Sequence, residues 1–309
     1  MYKNLPDLTG KLERLEQLAQ ASKIRRLLYS PGKYLFVMFF RYVIYPLTKK
    51  EYRLRASLFW SDEVYIALPA SMDIFLLGCK TDDPEMRLTR YLLKHLGGGD
   101  FFIDIGSHIG YYSLLSSFCV GETGRVISVE ASPASFSLLK KNVSKHKNIE
   151  AFNIALSDKE ETIHFFEFPG QYAEYNTMEP GQFKEKNWFR RKGYNKIPVE
   201  AISGDKLLEG YAGKATTIKI DVEGAEDRVI AGLKDYLVKN DSVVVMEFVN
   251  KKRHNSRHIL ADTMLADSGY KAFCILPGGE LRKIDERTDE YVEKTGLESD
   301  NIVYRKIFT

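Results

Sequence analysis

Apolar positions along the chain change their spacing several times, and each change marks an expected element. Leu12, Leu15 and Leu18 recur among charged residues, the pattern of an amphipathic helix. Ser30-Pro31-Gly32 reads as a turn. A dense apolar run follows over residues 34–45, interrupted by Arg41. Residues 64–68 and 73–76 read as two short strands around Pro69-Ala70-Ser71. Residues 84–96 have helical spacing, with Asp82 or Asp83 as cap and Pro84 in the first turn, and Gly97-Gly98-Gly99 ends the helix.

From Phe101 onward the chain alternates. Short apolar strands are expected at 101–105, 125–130, 149–154, 216–220 and 243–247, with helices at 110–118 and 133–146 and after the last two strands. Such strands, alternating with helices, imply a mostly parallel sheet covered on both faces, an α/β domain. The alternation breaks between 168 and 197, where Pro169-Gly170, Pro180-Gly181, Trp188 and the basic residues Lys184, Lys186, Arg190, Arg191 and Lys192 occur. Long irregular segments in compact domains are usually functional or mobile. Residues 169–196 are therefore expected to form a lid or substrate loop, with a solvated excursion as the alternative. The expected division is a helical segment over 1–60 and a catalytic domain over 61–309.

Composition narrows the classes. Of 309 residues, 44% are hydrophobic and 28% charged, a globular balance. A net charge of +3 argues against nucleic-acid binding. Cys79, Cys119 and Cys274 form no CxxC pair and read as reduced thiols of a cytoplasmic protein. The polar N-terminus does not read as a signal peptide. The run 34–45 is shorter than the roughly 20 residues a membrane span needs. Lys23, Arg25, Arg26 and Lys33 precede it and Lys49 and Lys50 follow it, which suits a helix lying in a membrane interface. Peripheral contact through residues 20–50, on the inner face of a membrane, is one expectation. Packing on the catalytic domain or in a homodimer is the other.

Three stretches carry chemistry. In the first, 101–110, an apolar strand runs into a turn with Gly106 and Gly110, spaced Gly-x-x-x-Gly rather than GxGxxG. Asp104 beside that turn suits a cationic or neutral ligand better than a phosphate. In the second, 125–130, the next strand ends in Glu130, placed to accept ribose hydroxyls, and Ser132-Pro133 opens the following helix. The third, 218–226, places Asp221 and Glu223 at another strand end, and Glu247 ends a strand in the same layer. In open α/β sheets ligands lie at these carboxyl ends, although acids there also cap helices. His254 and His258, in a charged run, read as part of a solvated basic face.

Taken together, FIDIGSHIGYYSLL, VISVEASP with Lys141-Asn142, residues 153–158 and IKIDVEGAE resemble the FkbM family of methyltransferases over roughly 84–247. The resemblance implies a Rossmann-like class I methyltransferase fold with a mostly parallel seven-stranded sheet. It also implies S-adenosylmethionine as cofactor and O-methylation of sugars or natural products. By position, Asp104, Gly106 and Gly110 would line the methionine end, Glu130 would hold the ribose, and the stretch from Asn153 through Ala155 to Leu156 would border the adenine; Ser107, Ala131 and Ser132 are further cofactor-binding candidates. Ser107-His108 departs from the family's usual small residues and leaves His108 open. Asp221 is the first candidate base, followed by Glu223, Glu247 and His108. Asp221 with Glu247 could instead bind Mg²⁺. The acceptor expected is a small molecule, glycan or lipid-linked glycan. A nicotinamide-dependent oxidoreductase and a non-catalytic membrane-associated binding module are the rival readings.

Overall fold

The computed structural model describes residues 5–168, 172, 175–183, 189, 193–211 and 216–307. Its strands are β1 Tyr52–Ser57, β2 Glu63–Leu68, β3 Phe101–Ile105, β4 Arg125–Val129, β5 Ile149–Phe152, β6 Ala155–Ser157, β7 Glu161–Glu167, β8 Asn195–Ser203, β9 Thr216–Ile220, β10 Ser242–Val249, β11 Tyr270–Ile275, β12 Leu281–Lys283 and β13 Ser299–Lys306. The central sheet has the order β12-β11-β13-β10-β9-β3-β4-β5. β5, β4, β3, β9 and β10 run parallel, and β13 is antiparallel to both β10 and β11. The expected seven strands become eight because the chain reverses after Ile275 and β12 pairs with β11 at the edge.

Register decides where the loops meet. Ile105 lies opposite both Val129 and Ile220, and Ile220 opposite Met246. Gly106, Glu130, Asp221 and Glu247 therefore emerge side by side at one edge of the sheet. Alternate strand residues feed opposite cores: Phe102 joins Leu88, Leu92 and Leu115 on one face, and Ile103 joins Ile218, Val229 and Leu265 on the other.

The N-terminal segment is helical over Leu5–Gln20, Lys23–Tyr29 and Pro31–Phe39, then passes through a π-helical turn, Phe40–Ile44, into Tyr45–Thr48. Leu8, Leu12 and Leu15 are buried in the first core, and Arg90 forms an ion pair with Glu16. Two expectations change. Ser30-Pro31-Gly32 opens a helix, with Pro31 in its first turn where an N–H is not needed. Residues 73–76 belong to the helix Met72–Leu77: Asp73 accepts from the N–H groups of Ile74 (2.8 Å) and Thr81 (3.2 Å), and left-handed Gly78 ends it. The π turn has a local cause. Tyr45 donates to Phe40 five residues back, and Pro46 has no N–H to offer Tyr42. The β1–β2 hairpin spans the boundary expected at residue 60.

A second sheet, β6-β8-β7, was not anticipated. β7 and β8 pair from Glu161↔Ala201 to Glu167↔Asn195, so the stretch expected to be a lid connects the strands of a hairpin. Trp188, Lys184, Lys186, Arg190, Arg191 and Lys192 lie outside the described residues.

Candidate active site at the carboxyl ends of the strands

Gly106 has φ 82°, and a β-carbon there would sit 1.8 Å from the Asp221 carbonyl oxygen. Only glycine lets the β3 turn lie against the β9 turn. The Gly106 and Ser107 N–H groups both donate to Val129 O (2.9 and 3.0 Å), drawing the loop over β4. Glu130 then joins the two turns: one carboxylate oxygen accepts the His108 N–H (2.7 Å), the other the Ser132 N–H (2.8 Å). Burial pushes Glu130 up to about 7 against the pull of these two donors. Asp104 is 1% exposed; Ser113 donates to one of its oxygens (2.6 Å), and the other, Oδ1, has no hydrogen-bond partner. An unpaired buried carboxylate oxygen is costly, which fits a cationic ligand group arriving there.

These residues line a cleft of about 770 Å³. It brings together Asp104, Gly106, Ser107, His108, Glu130, Ala131, Ala155, Leu156, Asp221, Glu223 and Glu247. Gly110, Ser132 and Asn153 stand behind its wall. A β-carbon on Gly110 would meet the Leu139 side chain at 2.7 Å, so this glycine seats the helix Pro133–Val143. Ser132 caps that helix, accepting from Ser135 N–H (3.2 Å). Asn153 donates to the carbonyls of Glu130 (2.8 Å) and Ala131 (3.2 Å).

The opposite wall is a charge network. Lys219, 2% exposed, donates to Asp221 at 2.9 Å. Burial pushes Asp221 up, but Lys219 and Lys80 outweigh it and hold the group at about 2. Glu247 hydrogen-bonds Asp221 and is pushed up to about 7 by burial and by that neighbouring charge. The negative charge of Asp221 favours the protonated form of Glu247, so the two titrate together. Glu223 forms an ion pair with Arg253 at 2.5 Å. His108, in the left-handed region at φ 51°, is lowered to about 4 by burial and by Lys80, so its ring is neutral.

Asp221, Glu223 and Glu247 place carboxylate oxygens within 4.8 Å of one another. Lys219 pairs with Asp221 and Arg253 with Glu223, so two of the three acids already have cationic partners. Asp221 and Glu247 would be the residues to hold the expected Mg²⁺, with Glu223 beside them.

Sequence reasoning missed several contributors. Lys219 carried a legible signal, a lysine inside an otherwise apolar strand. Lys80, paired with Glu85 at 2.8 Å, carried none, because it lies 141 residues before its charge partner Asp221. The solvated basic face is also corrected. Arg253 and His258 are buried, and His258 contacts Glu226 at 3.3 Å. His254 is exposed and precedes the helix Ser256–Asp267, so the two histidines do not share a helix face.

Sheet order, antiparallel β13 and a ligand cleft at the strand ends define the class: a Rossmann-like class I methyltransferase fold. The methyltransferase FkbM domain model matches residues 104–272, more than half of the chain, and the chain belongs to that family. Among curated relatives, a protein-L-isoaspartate O-methyltransferase of Caenorhabditis elegans is 28% identical over 126 residues, covering 38% of this chain and 54% of its own length. The hexuronic acid methyltransferase AglP of Haloferax volcanii is 26% identical over 163 residues, 52% of this chain and 61% of its own. The chain thus spans little more than half the length of these relatives. A solved FkbM methyltransferase from Methylobacillus flagellatus superposes with a TM-score of 0.43 at 13% identity, over 78% of this chain and 56% of that one.

Proposed function

We propose that this chain is an S-adenosylmethionine-dependent O-methyltransferase acting on a hydroxyl of a sugar, glycan or related natural product. The observation that carries the reading is the single cleft holding Asp104 with a free buried oxygen, Gly106 and Glu130 on one wall and the Asp221–Glu247 carboxyl pair on the other. Glu130 would accept the ribose hydroxyls, Asp104 would face the ammonium group, and Ala155 and Leu156 would flank the base. When bound, the cofactor supplies a sulfonium methyl group already activated for transfer. The protein's part is to orient an acceptor hydroxyl and take its proton. Asp221, held at about 2, is a weak base alone. The carboxyl pair, with Glu247 at about 7, is matched to neutral pH and takes the place first given to Asp221. Glu223, held by Arg253, orients the loop, and neutral His108 faces the cleft as a hydrogen-bonding group. The hexuronic acid methyltransferase among the relatives supports a sugar acceptor.

Calorimetry with S-adenosylhomocysteine and with NADH tests the cofactor. Binding of the first and not the second is expected. The Glu130→Ala variant should lose about 1.5–3 kcal/mol of that affinity, the worth of a hydrogen bond to a charged group. NADH binding alone would return the oxidoreductase reading. Radiolabelled methyl transfer into glycan and glycolipid fractions separates an enzyme from a non-catalytic module.

A further inference from the structure

Ten of the fifteen large apolar side chains exposed among the described residues fall between Ile24 and Tyr52. They are not scattered. Ile24 (71% exposed) and Leu28 (73%) share one face of the helix Lys23–Tyr29, which buries none of its residues. Phe39 (56%), Tyr42 (68%) and Leu47 (80%) follow at near-helical spacing, while Val37, Phe40 and Tyr45 point into the core. The extra residue of the π turn shifts the helical phase between the Phe39 and Leu47 exposures. Exposed patches of this kind mark interaction surfaces.

Charge selects the partner. Residues 21–50 contain seven lysines and arginines and no acidic residue. A second copy of the chain, related by a twofold axis, would bring these cations against themselves. An anionic lipid surface would neutralise them while taking up the apolar stripe. No helix among the described residues is long and apolar enough to cross a membrane, so the segment would lie in the interface. Arg41, between Phe39 and Tyr42, also lines the active-site cleft, so the stripe and the cleft mouth adjoin.

We propose that the face formed by residues 23–50 docks the protein on an anionic lipid bilayer, with the cleft opening beside the membrane surface. The inference stands apart from the methyl-transfer reading, since it rests on the outer face of these helices. Full-length protein should sediment with phosphatidylglycerol–phosphatidylcholine vesicles at low salt and stay in solution with phosphatidylcholine alone. Phe39→Ser/Leu47→Ser should reduce partitioning at least about tenfold through lost apolar contact, and Lys49→Glu/Lys50→Glu should reduce it through charge. Both variants should unfold in urea at the same midpoint as the unaltered protein, which establishes that they are folded. Protein that remains in the supernatant with both vesicle types overturns the proposal, as does equal sedimentation of the Phe39→Ser/Leu47→Ser variant. A stable dimer in sedimentation equilibrium that this variant dissolves would assign the face to a second copy instead.

Discussion

The two walls of the cleft are built on different principles. The wall at β3 and β4 is made of backbone: a glycine turn, two N–H groups converging on Val129 O, and a carboxylate that bridges neighbouring loops. Every partner lies within about thirty residues of the others. The wall at β9 and β10 is made of side-chain charges gathered from Lys80, Lys219, Asp221, Glu223, Glu247 and Arg253. The first is a rigid socket that tolerates little change of shape. The second is a balance of charges that tolerates little change of sign.

That contrast predicts which substitutions fail and how. Gly106→Ala should have the largest effect, because the new carbon would overlap the Asp221 carbonyl oxygen at 1.8 Å and adopt a left-handed φ. A loss of more than about 4 kcal/mol in urea unfolding, or no folded protein, is expected. Near-normal stability would mean that the two turns separate easily and that the socket is not rigid.

Asp221→Asn keeps shape and removes charge. Turnover should fall by roughly 10²–10⁴ while S-adenosylhomocysteine affinity is nearly retained. An equal loss of affinity would show that the two walls are coupled.

Behind the charged wall, His258→Ala would leave Glu226, fully buried, without its cation. Breaking such a pair costs about 3–5 kcal/mol, measurable by denaturant titration. His258→Ala/Glu226→Leu should recover much of it, and failure to recover would point to packing rather than charge.

The smallest effect concerns pH. Glu247 is raised from 4.5 to about 7, so across that window the folded protein holds a proton that the unfolded chain has released. Its contribution to stability is present below 4.5 and is lost as pH rises through about 7. Glu247→Gln should therefore raise Tm by about 2–4 °C above neutrality, and the gain should vanish toward acid pH. In catalysis the same group should make turnover rise with pH through about 7, a rise absent in Glu247→Gln. A pH-independent difference in Tm would remove Glu247 from the titrating pair.

The walls also differ in how legible they were. Residues 101–130 announce themselves because strand, glycine turn and acid are local and periodic, and the sheet register then follows from equal strand ends. The charged wall depends on electrostatic interactions between distant residues, such as Lys80 with Asp221, that no spacing encodes. Asp221, Glu223 and Glu247 were legible as acids at strand ends, yet their ranking as bases turned on neighbours the pattern did not reveal. Arg253 and His258 were misread because a charged run looks solvated until the fold buries it. The helix Met72–Leu77 was misread as a strand because six residues are too few for periodicity to separate the two. The three-residue strands β6 and β12 are shorter still, and their existence depends on a neighbour's edge.

Gly106 has a consequence for how this cleft can be reshaped. With no room between the two turns, the β3–β4 wall and the β9–β10 wall cannot be re-spaced independently; a change in one displaces the other. A change of cleft shape has to come from its other sides. The N-terminal helices and the β7–β8 hairpin form other sides of the same cleft without touching that junction. Changes of length or composition there would leave the Gly106–Asp221 junction undisturbed.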